Sequence, residues 1–269
     1  MQLLPMTILV LLVLLFCAKA SASDTVISFG GPAPVPQYRD RIVDYRLDPA
    51  RERYFIHLPS GYSASQPHGL MVFIDAGDTS TDLPQDWKDI LDRRKILYVA
   101  PQGAGNSQSG SRRMGLAVLA AIEMQQHYNI DRRRIYIAGF SGGARIASLL
   151  AFHQPDIFRG TVQICGSDFY RAVPAVHRTS STAAADQQYG LMTGVEPTKE
   201  QIQYAKSYVR FALITGSGDF RHGNILDIAE GGFVRDGFRA KVFDIAGMGH
   251  TVCDGHALEQ ALDYLSASY

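Results

Sequence analysis

The chain has 269 residues, and its 26 basic and 26 acidic side chains cancel to a formal net charge of zero. That balance excludes the electrostatic footprint of a nucleic-acid binder, and the short basic runs Arg112-Arg113 and Arg132-Arg133-Arg134 read as solvated helix ends or salt-bridge partners. A hydrophobic share of 46%, over a mature length of about 250 residues, is enough for one large domain with a well-buried sheet.

In chain order, the first segment is a targeting signal. Met1-Gln2-Leu3-Leu4-Pro5-Met6 is followed by an apolar stretch over 7–16 and by Cys17-Ala18-Lys19-Ala20, an Ala-x-Ala cleavage pattern, so residues 1–20 read as a secretory signal peptide. The bulky Phe16 argues against lipid attachment at Cys17. No later segment is long enough to span a bilayer. The expectation is a secreted or periplasmic protein, a monomer with no membrane partner once the signal is removed, with 21–269 forming a single domain.

Strand-like runs follow at 53–58, 70–74, 95–100, 135–138, 161–165, 209–215 and 240–245, and helix-like ones at 87–93, 114–124, 144–152 and 257–265. In the second helix Met114, Ala117, Val118, Ala121 and Met124 form a stripe at helical spacing that reads as core. Strands alternating with helices predict an α/β fold with a mostly parallel sheet covered on both faces. The loop Gly103-Ala104-Gly105-Asn106-Ser107-Gln108-Ser109-Gly110 lacks the Gly-Lys-Ser/Thr ending of a phosphate-binding loop, and reads as one wall of a site. Between 167 and 201 the pattern breaks into a stretch rich in Ser, Thr and Ala at 179–185, flanked by Phe169, Tyr170, Tyr189, Leu191 and Met192. This is the expected lid or substrate wall, since ligands in such sheets sit outside the carboxyl ends of the strands. The preferred reading of its aromatics is a small core of the insertion itself rather than a ligand surface.

The chemistry is announced by Gly139-Phe140-Ser141-Gly142-Gly143, set between the strand-like Ile135-Tyr136-Ile137-Ala138 and a helix. A Gly-x-Ser-x-Gly turn in that context holds a serine in strained backbone geometry with its hydroxyl exposed above the sheet. A serine hydroxyl needs a histidine base and an orienting carboxylate. Asp219, in the turn Gly216-Ser217-Gly218-Asp219, and His250, in Gly247-Met248-Gly249-His250, each follow a later strand. They complete the chain order Ser, Asp, His. Asp227, on a helix-like stretch, and Asp244, inside a strand, are the weaker acids. His127, His153, His222 and His256 fall away from the strand ends.

These motifs, with Tyr128-Asn129-Ile130-Asp131, Pro155-Asp156-Ile157-Phe158, Ile164-Cys165-Gly166 and Ile214-Thr215-Gly216, resemble the α/β-hydrolases. More narrowly, the chain is similar to secreted serine esterases of the polyhydroxybutyrate depolymerase and feruloyl or acetylxylan esterase-like group. The resemblance implies hydrolysis of a carboxylic ester, small or polymer-linked, through an acyl-enzyme on Ser141, Asp219 and His250, with no cofactor and no metal. It departs at the loop after 70–74. There Asp75-Ala76-Gly77-Asp78 replaces the usual His-Gly or glycine-rich run.

A backbone oxyanion hole is therefore expected from the N–H of Gly142 and the N–H of Gly77, with the carboxylates of Asp75 and Asp78 facing solvent or capping the next helix. Two cysteines remain after signal removal, Cys165 and Cys253, and in an exported chain they are the candidate disulfide. Two other readings stand beside the esterase: a serine peptidase of related fold, and a non-catalytic binding protein on a hydrolase scaffold, which the unusual 75–78 loop alone supports.

Overall fold

The structure is a computed structural model, and it describes residues 23–30, 47–177 and 196–267. The signal segment 1–20 and the centre of the expected insertion, with Tyr189, Leu191 and Met192, lie outside the described residues.

Eight strands form one sheet: β1 (Ser23–Ile27), β2 (Tyr54–Leu58), β3 (His68–Ile74), β4 (Ile96–Pro101), β5 (Ile130–Phe140), β6 (Gly160–Ile164), β7 (Arg210–Gly218) and β8 (Arg239–Gly249). Their order across the sheet is β1-β2-β4-β3-β5-β6-β7-β8. β1 and β2 are antiparallel to their neighbours, and β4, β3, β5, β6, β7 and β8 run parallel. The helices are α1 (Gln85–Arg94), α2 (Gly110–His127), α3 (Gly142–His153), α4 (Lys199–Tyr208), α5 (His222–Ile228), which runs on into a π-helical turn (Ala229–Val234), and α6 (Gly255–Ser266). The seven strands and four helices read from hydrophobic pattern are all present. β1 and α4 escape that reading, because β1 is exposed along most of its length and α4 buries only Ala205.

Period-two alternation explains how both faces of the sheet are covered. Leu70, Val72, Ile74, Ile135 and Ile137 point to the layer of α2 and α3. Met71, Phe73, Tyr136, Ala138, Val162 and Ile164 point to the layer of α1 and α6. α2 is buried along 113–124, so the stripe from Met114 to Met124 is core as expected, and Ser109 caps it by accepting the N–H of Arg112.

Two expectations need correcting. Among the described residues, Phe169 and Tyr170 pack on the main body rather than into a separate small core. Their rings pack with Phe152, Phe233 and Phe238, joining the main body near β7 and the π-helical turn. Arg113 is not a solvated helix end: it is 2% exposed, and its guanidinium donates to backbone carbonyls in two loops.

Candidate active site

The turn from β5 into α3 carries Ser141 at φ 54° and ψ −116°. A non-glycine residue held at positive φ is strained, and persists only where the surroundings over-determine it. Here the packing does so. A methyl group on Gly143 would stand 1.9 Å from the carbonyl oxygen of Ile74, and one on Gly139 would stand 2.4 Å from the carbonyl carbon of Gly143. Strand and helix therefore touch backbone to backbone. The N–H of Ser141 donates to Ile164 O at 2.8 Å, tying the turn to β6.

The carboxyl ends of β7 and β8 bring the other two groups to this serine. His250 Nε2 faces Ser141 Oγ at 2.9 Å, and His250 Nδ1 faces Asp219 Oδ1 at 2.7 Å. Asp219 is 4% exposed. Its carboxylate accepts from Thr215 Oγ1 at 3.0 Å and from the N–H of Arg221 at 3.0 Å, so it can accept from the imidazole without being left unsatisfied. The rings of Phe140 and Phe220 flank His250 at centroid distances of 5.1 and 4.3 Å, and Phe220 stays 61% exposed.

The weaker acids are spent elsewhere. Asp227 accepts the N–H groups of Val176 and His177, and Asp244 meets His222.

The 75–78 loop meets expectation in part. Asp78 is exposed, as expected, and Asp75 half-buried, but neither carboxylate caps α1, whose first residue follows Pro84 without a side-chain cap. Asp75 Oδ1 accepts the N–H of Ala76 at 2.6 Å. Asp78 accepts from Ser107 Oγ at 2.6 Å and from the N–H of Gly105 at 3.0 Å, and the Ser107 hydroxyl holds its carboxyl below the usual value. Arg113 joins the same two loops from beneath, donating to Ala104 O at 2.7 Å and to Asp75 O at 3.1 Å. Gly77 itself is open: a methyl there would meet nothing nearer than Thr79 O at 3.9 Å.

The expected disulfide is not formed. Cys165 and Cys253 are buried free thiols, and the histidine loop is held without a covalent tie. Cys165 Sγ lies near Gly249 O and Thr251 O, at 3.5 and 3.3 Å. Trp87 Nε1 donates to Cys253 O at 2.9 Å, and the N–H of Gly247 donates to Ser217 Oγ at 3.0 Å. Burial, with the Asp219 carboxylate beside it, pushes the Cys165 thiol up to about 12, so it stays protonated and can donate.

Cys165, Asp219 and His250 also carry metal-ligating atoms within 4.8 Å of one another. The 2.7 Å between Nδ1 and Oδ1 is hydrogen-bond spacing, with no room for an ion between those atoms.

A mostly parallel sheet with an elbow serine after β5, an acid after β7 and a histidine after β8 has the fold of the α/β-hydrolases. Comparisons agree at that level. A solved ferulic acid esterase superposes with a TM-score of 0.63 at 15% identity, over 93% of this chain and 98% of that one. The S-formylglutathione hydrolase of Staphylococcus aureus does so at 0.61 and 14%, over 91% and 99%. Esterase 2 of Thermogutta terrifontis gives 0.55 and 14%, over 82% and 90%.

In sequence, a match 146 residues long that covers 48% of the chain is 26% identical to poly(3-hydroxyalkanoate) depolymerase C of Paucimonas lemoignei. The match spans 34% of that relative's length. No family model matches the chain.

Proposed function

We propose that this protein is an exported serine hydrolase that cleaves carboxylic esters through an acyl-enzyme. The observation that carries the reading is the unbroken hydrogen-bonded line from Ser141 Oγ through His250 to Asp219, at 2.9 and 2.7 Å, ending on a serine held at positive φ. Packing alone gives no reason to keep a strained serine in line with an imidazole and a buried carboxylate. The similarity to a polyhydroxyalkanoate depolymerase and the fold shared with a ferulic acid esterase support esters as the substrate class. Polyester or carbohydrate-linked acyl groups are the natural forms to test. The 1–20 signal supports export, and 167–201 is the proposed substrate wall of a single domain over 21–269.

In the proposed cycle Asp219 accepts the Nδ1–H of His250 and so leaves Nε2 as the acceptor. Ser141 Oγ attacks the ester carbonyl carbon as its proton passes to Nε2. The tetrahedral oxyanion is held by the backbone N–H groups of Gly142 and Gly77. Collapse breaks the carbon–oxygen bond of the ester, and the departing alcohol takes the proton from Nε2. A water molecule, deprotonated by the same nitrogen, then attacks the acyl-enzyme, releases the acid and returns the proton to Ser141.

The test is labelling of the purified protein with a fluorophosphonate probe beside Ser141→Ala, followed by hydrolysis of a short acyl-chain series, a feruloyl ester and a polyhydroxybutyrate film. Labelling confined to the wild type, with ester turnover falling at least about 10³-fold in the variant, is the expected result. A folded wild type that takes up no probe and cleaves no ester sinks the reading.

A further inference from the structure

Beside the elbow stands a side chain that the proposed cycle does not use. Asn106 lies in the loop after β4, and its carboxamide rests against Gly142: a methyl group there would meet Oδ1 at 2.1 Å, Cγ at 2.9 Å and Nδ2 at 3.2 Å. The residue after the nucleophile is thus a glycine whose missing side chain is replaced in space by the amide of Asn106. Everything that fixes this loop acts on its backbone or on its neighbours. The N–H of Asn106 donates to Ala76 O at 2.8 Å and that of Gly103 to Asp78 O at 2.6 Å. Asp78 holds Gly105 and Ser107, and Arg113 holds Ala104 O.

The carboxamide is exposed, and among the described residues it makes no hydrogen bond. A loop braced on both sides therefore presents one unspent amide against Gly142, the residue directly after the nucleophile.

We propose that Asn106 is a further catalytic residue of the esterase reaction, a side-chain donor whose Nδ2–H binds the oxyanion beside the N–H of Gly142. This rests on the esterase reading above. A half-turn about the last side-chain torsion exchanges Oδ1 and Nδ2, and since neither atom is bonded to the described residues, that turn breaks no protein hydrogen bond. The loop fixes where the donor is carried, so only the side-chain torsions have to settle when the charge forms. It also gives the 75–78 loop a purpose. With no His-Gly run after β3, that loop supplies the carbonyl of Ala76 and the carboxylate of Asp78, which position a donor carried by its neighbour.

The experiment measures kcat and KM on a short acyl ester, the fluorophosphonate labelling rate and the melting temperature for wild type, Asn106→Ala, Asn106→Ser and Asn106→Asp. Asn106→Ala should lower kcat about 10²-fold with KM nearly unchanged, label more slowly and melt with the wild type. Asn106→Ser, which keeps a donor, should recover part of the loss.

In Asn106→Asp an ionised carboxylate repels the oxyanion while the protonated acid can donate. The ratio of its kcat to that of Asn106→Ala should therefore rise as pH falls. A kcat in Asn106→Ala within about threefold of wild type, or a loss lying wholly in KM, overturns the assignment while leaving the esterase reading intact. A wild type inert to both probe and ester overturns the esterase reading, and the assignment with it.

Discussion

The nucleophile elbow and the paired loops at 75–78 and 103–108 lie side by side, with Gly142 against Asn106 and Gly143 against Ile74, and they differ in how much of their support comes from side chains. The elbow is fixed by backbone meeting backbone: Gly143 against Ile74, Gly139 against Gly143, and the N–H of Ser141 on Ile164 O. The paired loops also meet backbone to backbone, with Gly105 against Gly77 and the N–H groups of Asn106 and Gly103 on Ala76 O and Asp78 O, but they add two long-range side-chain braces, Arg113 from α2 and Asp78 from the loop itself. A contact between backbones has no softer alternative, whereas a side-chain brace can be removed and leave the chain folded. One region should fail as a fold and the other as a catalyst.

The largest effect follows from that difference. Gly143→Ala forces a methyl group to within 1.9 Å of a carbonyl oxygen that belongs to the central strand β3, and neither partner is a flexible side-chain end. We expect a loss of more than about 3 kcal/mol, measured by denaturant unfolding, with Ser141 no longer labelled. A Gly143→Ala protein that unfolds at the wild-type midpoint would show that the elbow yields, and the contrast between the two regions would be gone.

Arg113→Met comes next. It removes two charge-assisted bonds, to Ala104 O and Asp75 O, from a side chain that is 2% exposed. The expected cost is about 2 kcal/mol. The sharper readout is catalytic: kcat should drop while the fluorophosphonate probe still labels Ser141, because the elbow does not depend on Arg113. Unchanged kcat in folded Arg113→Met would mean the brace has no bearing on the reaction.

The same contrast explains what could be read from the sequence. Backbone contacts demand glycine, and glycines at fixed spacing around a serine are visible in the chain, as are an Asp and a His each placed just beyond a strand. Ser141, Asp219 and His250 were legible for that reason, as was the parallel sheet, whose strands are written as apolar runs. Arg113 was misread as solvated because nothing local distinguishes an arginine that reaches a carbonyl in a distant loop from one that reaches water.

Asn106 was legible only as a member of the loop 103–110, read as one wall of the site, with nothing to single it out there. The pairing of Cys165 with Cys253 was inferred from number and compartment, which say nothing of whether two thiols face each other, and the buried Cys165 instead sits beside carbonyls of the histidine loop. Thr215 and Phe220, which hold Asp219 and flank His250, were seen only as parts of motifs, with no role of their own.

Asp78→Asn should act more gently. The loop keeps its shape but loses the charge from the bonds of Ser107 and Gly105, and a fall in kcat of about two- to fivefold is expected. The sign of its pH dependence is fixed by the direction of the shift. The Asp78 carboxyl is held below its ordinary value of 3.8 by the Ser107 hydroxyl. The brace is therefore complete above that value and lost only as pH falls beneath it. Wild type and Asp78→Asn should thus show a constant ratio of kcat from pH 5 upward. A ratio that changes across that range would place the titration of Asp78 elsewhere.

The smallest effect lies on α2, the helix that carries Arg113. Two turns or more further on, the same helix buries Glu123, and the two charges are treated differently. Arg113 reaches backbone carbonyls, whereas the carboxylate oxygens of Glu123 have no hydrogen-bond partner among the described residues; the imidazole of His127 faces them, with Nδ1 at 3.7 Å. Burial raises the Glu123 carboxyl above its ordinary value of 4.5, with the facing His127 pulling the other way.

Because the folded state holds this proton more tightly than the unfolded chain, stability contributed by the neutral acid is present at low pH. It is lost as pH climbs from the ordinary value through the raised one. Glu123→Gln keeps the shape and cannot ionise. Its melting temperature relative to wild type should therefore rise between pH 4 and pH 7 and then level off, by a few degrees at most for a domain of this size. If the difference stays flat with pH, the carboxylate finds in the folded protein a partner as good as water, and burial of Glu123 would be answered as fully as that of Arg113.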